Sequence, residues 1–241
     1  MISSEIIKEL AVKHQTTELN VVREYFQHLF LYYFYIQKPS SKVLFKGGTA
    51  LRVIYASPRF SEDLDFSTEI KSISTLEDLV LEALSEMERE GLSGKIRESK
   101  ATSGGYLSII YFEFGNRKIT IQIEVSLRNK GIKGETVTIA SDFIPPYTLE
   151  QLLQEDLVDE KIKALFSRQK PRDFYDLYFM LRANLIPTQK KSLMTKTLKI
   201  LQNTKIPFAK ELKVFLPQSH WAVIKTFKES LEREIHRNFS F

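Results

Sequence analysis

The chain has 241 residues, of which 43% are hydrophobic and 27% charged, a size and balance that suit one large domain or two small ones with a real core. There is no cysteine and no apolar run long enough to cross a bilayer, which excludes a disulfide framework, a thiolate metal site and a membrane-spanning helix. The net charge of +5, from 35 basic and 30 acidic residues, permits nucleic-acid binding without requiring it. The opening Met1-Ile2-Ser3-Ser4-Glu5 has no signal-peptide pattern, so a cytoplasmic location is expected.

The first forty residues read as two helices, one capped by Ser3 or Ser4 and the next by Thr16 or Thr17, with Glu18 at the end that favours negative charge. The aromatic run over 26–35 reads as core or interface packing, and Pro39 with the two serines after it stops the helix. Val43-Leu44-Phe45 is a short strand that feeds a glycine turn, and a helix follows over 49–55. A further helix is expected over 75–90, with Gly91 as its stop. Strands are expected over 94–101, 105–114 and 118–128, with Gly115-Asn116 turning the hairpin between the last two. The last strand alternates cleanly, with Ile119, Ile121, Ile123, Val125 and Leu127 on one face and Thr120, Gln122, Glu124 and Ser126 on the other. From residue 148 onward the pattern is helical, broken near Lys170-Pro171 and at Pro187, Pro207 and Pro217. The expected architecture is α+β: a mixed sheet with flanking helices over 1–145 and a C-terminal helical bundle over 146–241, divided near Pro145-Pro146. Lys190, Lys191, Lys196, Lys199, Lys205 and Lys210 form either a solvated helical surface or an RNA-facing patch. His14, His28, His220 and His236 have no ligand spacing and read as structural or surface residues.

The stretch from Lys46 to Phe66 carries the chemistry. Asp63 and Asp65 occupy alternate positions of one strand, so they point together while Leu64 and Phe66 point into the core. Two convergent carboxylates suit a hard divalent cation, here Mg²⁺ in a two-ion site. Glu124, on the polar face of the alternating strand, is the expected third carboxylate, with Glu113 as the alternative. Gly47 and Gly48 let the backbone approach a phosphate at a helix start, and Thr49 offers a hydroxyl to it. Arg59, just ahead of the carboxylate strand together with Ser61, is placed to pair with a phosphate or an acidic neighbour. The pattern points to metal-assisted nucleotidyl transfer from a nucleoside triphosphate. Further on, a helix over 149–166 sets Leu149, Leu153, Leu157, Ala164 and Leu165 on one stripe, with Lys161 inside it and Lys163 roughly opposite. A lysine on an inward face must meet an anion or reach a cleft. Arg172, Asp173 and Asp176 open the next helix behind Pro171, with the two aspartates sharing a face.

Phe45-Lys46-Gly47-Gly48-Thr49-Ala50-Leu51 followed by Arg59-Phe60-Ser61-Glu62-Asp63-Leu64-Asp65-Phe66 resembles the AbiEii/AbiGii-type toxin nucleotidyltransferases, within the wider nucleotidyltransferase superfamily. Glu160-Lys161-Ile162-Lys163-Ala164-Leu165 with Arg168, then Pro171-Arg172-Asp173-Phe174-Tyr175-Asp176-Leu177, resembles a second stretch of the same family. The matches span roughly residues 43–182. The resemblance implies a nucleotidyltransferase-type sheet and places Lys161 at the triphosphate. It also places Asp176 near the nucleotide, so that the helical domain contributes both residues to the active cleft. It implies further that Arg172 and Asp173 brace the helix or bind phosphate. The activity implied is that of a type IV toxin: transfer of a nucleotide to an RNA acceptor such as the 3′ end of tRNA, with pyrophosphate leaving and an antitoxin as partner. Transfer to a small molecule or a protein hydroxyl, or a silent binding module, are the alternatives.

Overall fold

The computed structural model describes residues 2–128 and 131–239. The chain divides into two compact units, Met1–Ala56 with Phe60–Leu152, and Ser57–Arg59 with Leu153–Phe241.

In the first unit, β1 (Val43–Lys46), β2 (Asp63–Thr68), β3 (Gly94–Thr102), β4 (Gly105–Phe114), β5 (Arg117–Leu127), β6 (Gly134–Ile139) and β7 (Tyr147–Leu152) form one sheet in the order β3-β4-β5-β2-β1-β7-β6. The β2/β5 and β1/β7 pairs are parallel and the other four antiparallel, so the sheet is mixed as expected. Four helices accompany it: α1 (Ser4–Lys13), α2 (Glu18–Tyr35), α3 (Gly47–Val53) and α4 (Ile73–Arg89). The starts of α1, α2 and α4 follow side-chain caps. The Ser3 hydroxyl accepts from the Ile6 N–H at 3.3 Å, that of Thr17 from Asn20 at 3.3 Å and that of Ser72 from Thr75 at 3.1 Å. The isoleucine face of β5, with Leu64 and Phe66 of β2, is buried. On this side Phe26 of α2 meets Phe112 with 4.7 Å between ring centroids, and Phe34 meets Phe66 at 5.3 Å. Asp63, Asp65, Gln122 and Glu124 alternate with these buried positions and occupy the opposite face.

Three local expectations change. Residues 147–152 form a strand, not the start of a helix. Their leucines do fall at helical spacing, but pairing with β6 and with Phe45 of β1 prevails over that local pattern. The helix carrying Lys161 therefore begins at Gln154, and the division between units falls after Leu152, beyond Pro145-Pro146. The strand β6 has a largely exposed surface and few apolar residues, and so left no alternating signal. Finally, α3 begins at Gly47, with Lys46 as its N-cap, so the glycines form the first helical turn.

The second unit holds α5 (Gln154–Arg168), α6 (Pro171–Arg182), α7 (Lys191–Asn203), α8 (Phe208–Phe215), α9 (Trp221–Lys225) and α10 (Phe227–Asn238). Pro171 opens α6 in the position where a missing N–H costs nothing, and the other three prolines fall between helices. Packing centres on α6, which touches α5, α8 and α10. Its Phe174 meets Phe208 edge-on at 5.4 Å, and Tyr175 lies 6.1 Å from Phe227.

Because Phe26 is fully buried among Tyr25, Phe112 and Phe114, Phe26→Ala is expected to destabilise the first unit by about 3–5 kcal/mol. A urea titration of the variant beside the wild type reads this as a lowered midpoint.

Candidate active site

The carboxylates come together through strand register. Asp65 of β2 stands opposite Glu124 of β5, and Asp63 opposite Gln122. Paired residues of adjoining strands share a face, so the three carboxylates and Gln122 form one polar patch. Glu113 pairs with Lys118 on the far side of β5, several positions along. Register thus puts Glu124, and not Glu113, beside the aspartates. In this arrangement Gln122 donates to the Glu124 carboxylate at 2.5 Å.

Two contacts fix the aspartate strand. Thr49 of α3 donates its hydroxyl to the Asp63 carbonyl at 2.5 Å, so its proton is directed to the backbone of β2. Ahead of the strand, the Gln27 amide donates to the carbonyls of Ser61 and Glu62 at 3.0 and 3.2 Å, and Arg23 pairs with Glu62 at 3.0 Å. Gly47 has a left-handed φ of +86°, and a Cβ built there would lie 2.0 Å from the Asp65 Oδ2. The missing side chain thus makes room for the Asp65 carboxylate. Gly48 is buried in the same turn, and Ser61 is half-buried.

In the helical unit, Asp176 is buried and receives two cations. Arg59 donates through Nε at 2.8 Å to Oδ1 and through Nη2 at 3.1 Å to Oδ2, and Lys161 Nζ lies 2.7 Å from Oδ2. Of the two partners open to Arg59, the acidic neighbour is the one it has. Lys161 is 10% exposed at its side chain while Lys163 is exposed, as the inward and outward faces of the helix predict. Burial pushes the Asp176 carboxyl up, but the charges of Arg59 and Lys161, and their hydrogen bonds, outweigh it and bring the group down to about 2. Asp173 caps its own helix, accepting from the Lys170 N–H at 3.0 Å and from Arg168 Nη2 at 2.6 Å. Arg172 is half-buried, with Nε 3.9 Å from Glu211. This is too long for a hydrogen bond.

The model of the family described as nucleotidyl transferase AbiEii toxin, Type IV TA system, matches residues 29–236. The chain belongs to this family. AbiEii membership makes it a nucleotidyltransferase and implies a nucleoside triphosphate substrate and a cognate antitoxin. Two solved structures share the fold. JHP933 from Helicobacter pylori is 18% identical, with a TM-score of 0.67 and 92% of each chain covered. A second H. pylori protein, described provisionally as a nucleotidyltransferase, is 17% identical, with a TM-score of 0.64, covering 98% of this chain and 95% of its own. No curated protein matches. No helix among the described residues is long and apolar enough to cross a membrane.

Among the described residues, no three His, Cys, Asp or Glu side chains are gathered so as to hold a metal ion. Glu124 accepts its hydrogen bond from Gln122. The donor set still fits a hard cation, being all carboxylate oxygen on one face of adjoining strands. Sequence reasoning missed Lys46, Gln27, Ser126 and Arg128. Lys46 Nζ lies 3.4 Å from the Ser126 hydroxyl, and Arg128 Nε lies 3.2 Å from that of Ser67. A buried lysine ending the apolar strand Val43-Leu44-Phe45 was the available signal. His28 is buried and bonded to Tyr147 at 2.9 Å, and His14 lies 2.9 Å from Asp142. Both roles are structural, as expected.

Two outcomes follow from this geometry. Asp176 is held below its ordinary value of 3.8, down to about 2. Its pairing therefore stabilises the fold fully above that ordinary value, and the contribution is lost as pH falls toward the lower one. Asp176→Asn is expected to cost about 3–5 kcal/mol at neutral pH, because Arg59 and Lys161 lose their compensating charge. It should also flatten the decline of stability in that acid window, as measured by denaturant unfolding at a series of pH values. Gly47→Ala should cost about 1–3 kcal/mol through backbone strain and the clash with Asp65. Its transfer activity should fall far more than its melting temperature.

Proposed function

We propose that this AbiEii enzyme is a Mg²⁺-dependent transferase of the cytoplasm that moves a nucleoside monophosphate from a triphosphate to an RNA acceptor, the 3′ end of tRNA. The observation that supports the cation is the register that sets Asp63, Asp65 and Glu124 on one face of adjoining strands. Asp63, Asp65 and Glu124 would hold the cation. Such an ion neutralises charge developing on the phosphoryl oxygens when bound.

The chain's own residues do the remaining work. Gly47 and Gly48 bring backbone N–H groups to the start of α3, where a phosphate is received. Thr49 and Gln27 hold β2 and the segment before it, so the carboxylates meet the substrate in fixed positions. Lys161 supplies a positive charge for the triphosphate. Asp176 serves as its positioning residue: ionised and bonded through both oxygens, it orients the Lys161 ammonium. A carboxylate held at so low a value is a poor proton acceptor at neutral pH. Arg59 completes the pairing, and Arg172 and Asp173 brace the helix that carries Asp176. The tRNA acceptor is supported by the family's toxin character together with the basic excess of the chain.

The test is incubation with Mg²⁺, each labelled nucleoside triphosphate in turn and total tRNA. Label should appear on tRNA, and Asp63→Ala/Asp65→Ala should abolish it with the fold retained by circular dichroism. Lys161→Ala should lower kcat/KM by about 10²–10³-fold, the loss typical of one removed charge contact, while Lys163→Ala stays near wild type. Label on the protein itself, or on an added small molecule in place of tRNA, would overturn the RNA acceptor. Equal losses from both lysine variants would overturn the role of Lys161.

A further inference from the structure

Lys46 has no place in the chemistry so far, yet it lies within the carboxylate patch. It closes β1 directly opposite Asp65, and Asp65 stands opposite Glu124, so three charged residues follow one another across β1, β2 and β5. Residues paired in this way share a face. The lysine stem then runs across β2, because its Nζ lies 3.4 Å from the Ser126 hydroxyl on β5. Ser126 pairs with Ser67, the next position after Asp65 on the same face of β2, and follows Glu124 on the same face of β5. The ammonium therefore lies over the step from Asp65 to Ser67, one strand position from Glu124. Lys46 is 7% exposed. Taking an ammonium out of water is costly unless opposite charge compensates it, and packing two carboxylates side by side is costly for the converse reason.

We propose that Lys46 is the built-in counter-cation of the Asp65–Glu124 pair. It holds the two carboxylates together while no divalent ion is bound, and it yields when such an ion arrives. This inference rests on the divalent-cation reading given above. Lys46 is here a positioning residue for the cation ligands. Its positive charge lowers their affinity for a divalent ion, and its absence leaves two carboxylates repelling each other across β2 and β5.

The test uses Mn²⁺ as the probe, titrated without nucleotide into wild type, Lys46→Met and Lys46→Arg and followed by electron paramagnetic resonance of the free ion. Thermal melts in EDTA and in excess Mg²⁺ accompany the titration. Lys46→Met should bind Mn²⁺ about tenfold more tightly, the effect of removing one nearby like charge at a partly screened site. It should also melt below wild type in EDTA and recover more of that loss in Mg²⁺. Lys46→Arg keeps the charge and should follow wild type in both measurements. A folded Lys46→Met with wild-type Mn²⁺ affinity overturns the role of Lys46, whereas absence of Mn²⁺ binding in both proteins overturns the divalent-cation reading itself. Should Lys46→Met fail to fold in either buffer, Ser126→Ala decides. Loosening the ammonium should then raise Mn²⁺ affinity above wild type, and an unchanged affinity overturns the proposal.

Discussion

A strand with one buried face tolerates a single register, and β2 is such a strand. Leu64 and Phe66 are fully buried against α2 and its neighbours, so Asp63 and Asp65 must point the other way. A slip of one residue would expose the two apolar side chains and drive two carboxylates into the core. The isoleucines of β5 impose the same condition on Gln122 and Glu124. Core packing and site geometry are in this sense one constraint. The apolar residues supply the energy that lines up the acidic ones, and a change in the core acts on the site through register before it acts through distance.

The two units handle concentrated charge in different ways. In the sheet unit, the carboxylates face away from the core and keep partial or full exposure. In the helical unit, Asp176 is removed from water altogether and answered by Arg59 and Lys161. Desolvation on this scale is tolerable only because both carboxylate oxygens have charged donors. The same pairing accounts for an odd feature of the chain's organisation. Ser57–Arg59 lies in sequence between α3 and β2, yet groups with the helices. A buried guanidinium bonded twice to Asp176 is a reason for that short segment to remain there.

Much of this was legible in the sequence, and what was not has identifiable causes. The caps at Ser3 and Thr17, the alternation of β5 and the Asp63–Asp65 pair are signals carried by neighbouring residues, so short windows suffice to read them. Glu124 could be preferred over Glu113 on facial grounds, but only the parallel register of β2 with β5 sets it opposite Asp65. The strand β7 was misread because its leucines satisfy helical spacing and its true partners lie far off in sequence, at β1 and β6. Lys46 was passed over for a related reason. Beside two glycines it reads as punctuation, and its partner Ser126 is eighty residues away. The Arg59–Asp176 bond spans an even longer interval of 117 residues, which no periodicity records.

Gly47 shows how one residue type can serve two demands. Glycine ahead of a helix suggests close approach of a phosphate, but here the direction a Cβ would take is filled by the Asp65 carboxylate. The two uses are compatible, since the backbone N–H and the Cα hydrogens point to different sides. What the structure changes is the balance of forces on an incoming triphosphate. With only seven residues, α3 carries too few aligned peptides for a full macrodipole, and the Asp65 carboxylate, of like charge to the ligand, lies against its first residue, Gly47. Individual N–H groups can orient a phosphate in such a place but cannot supply the attraction. That attraction has to come from whole charges.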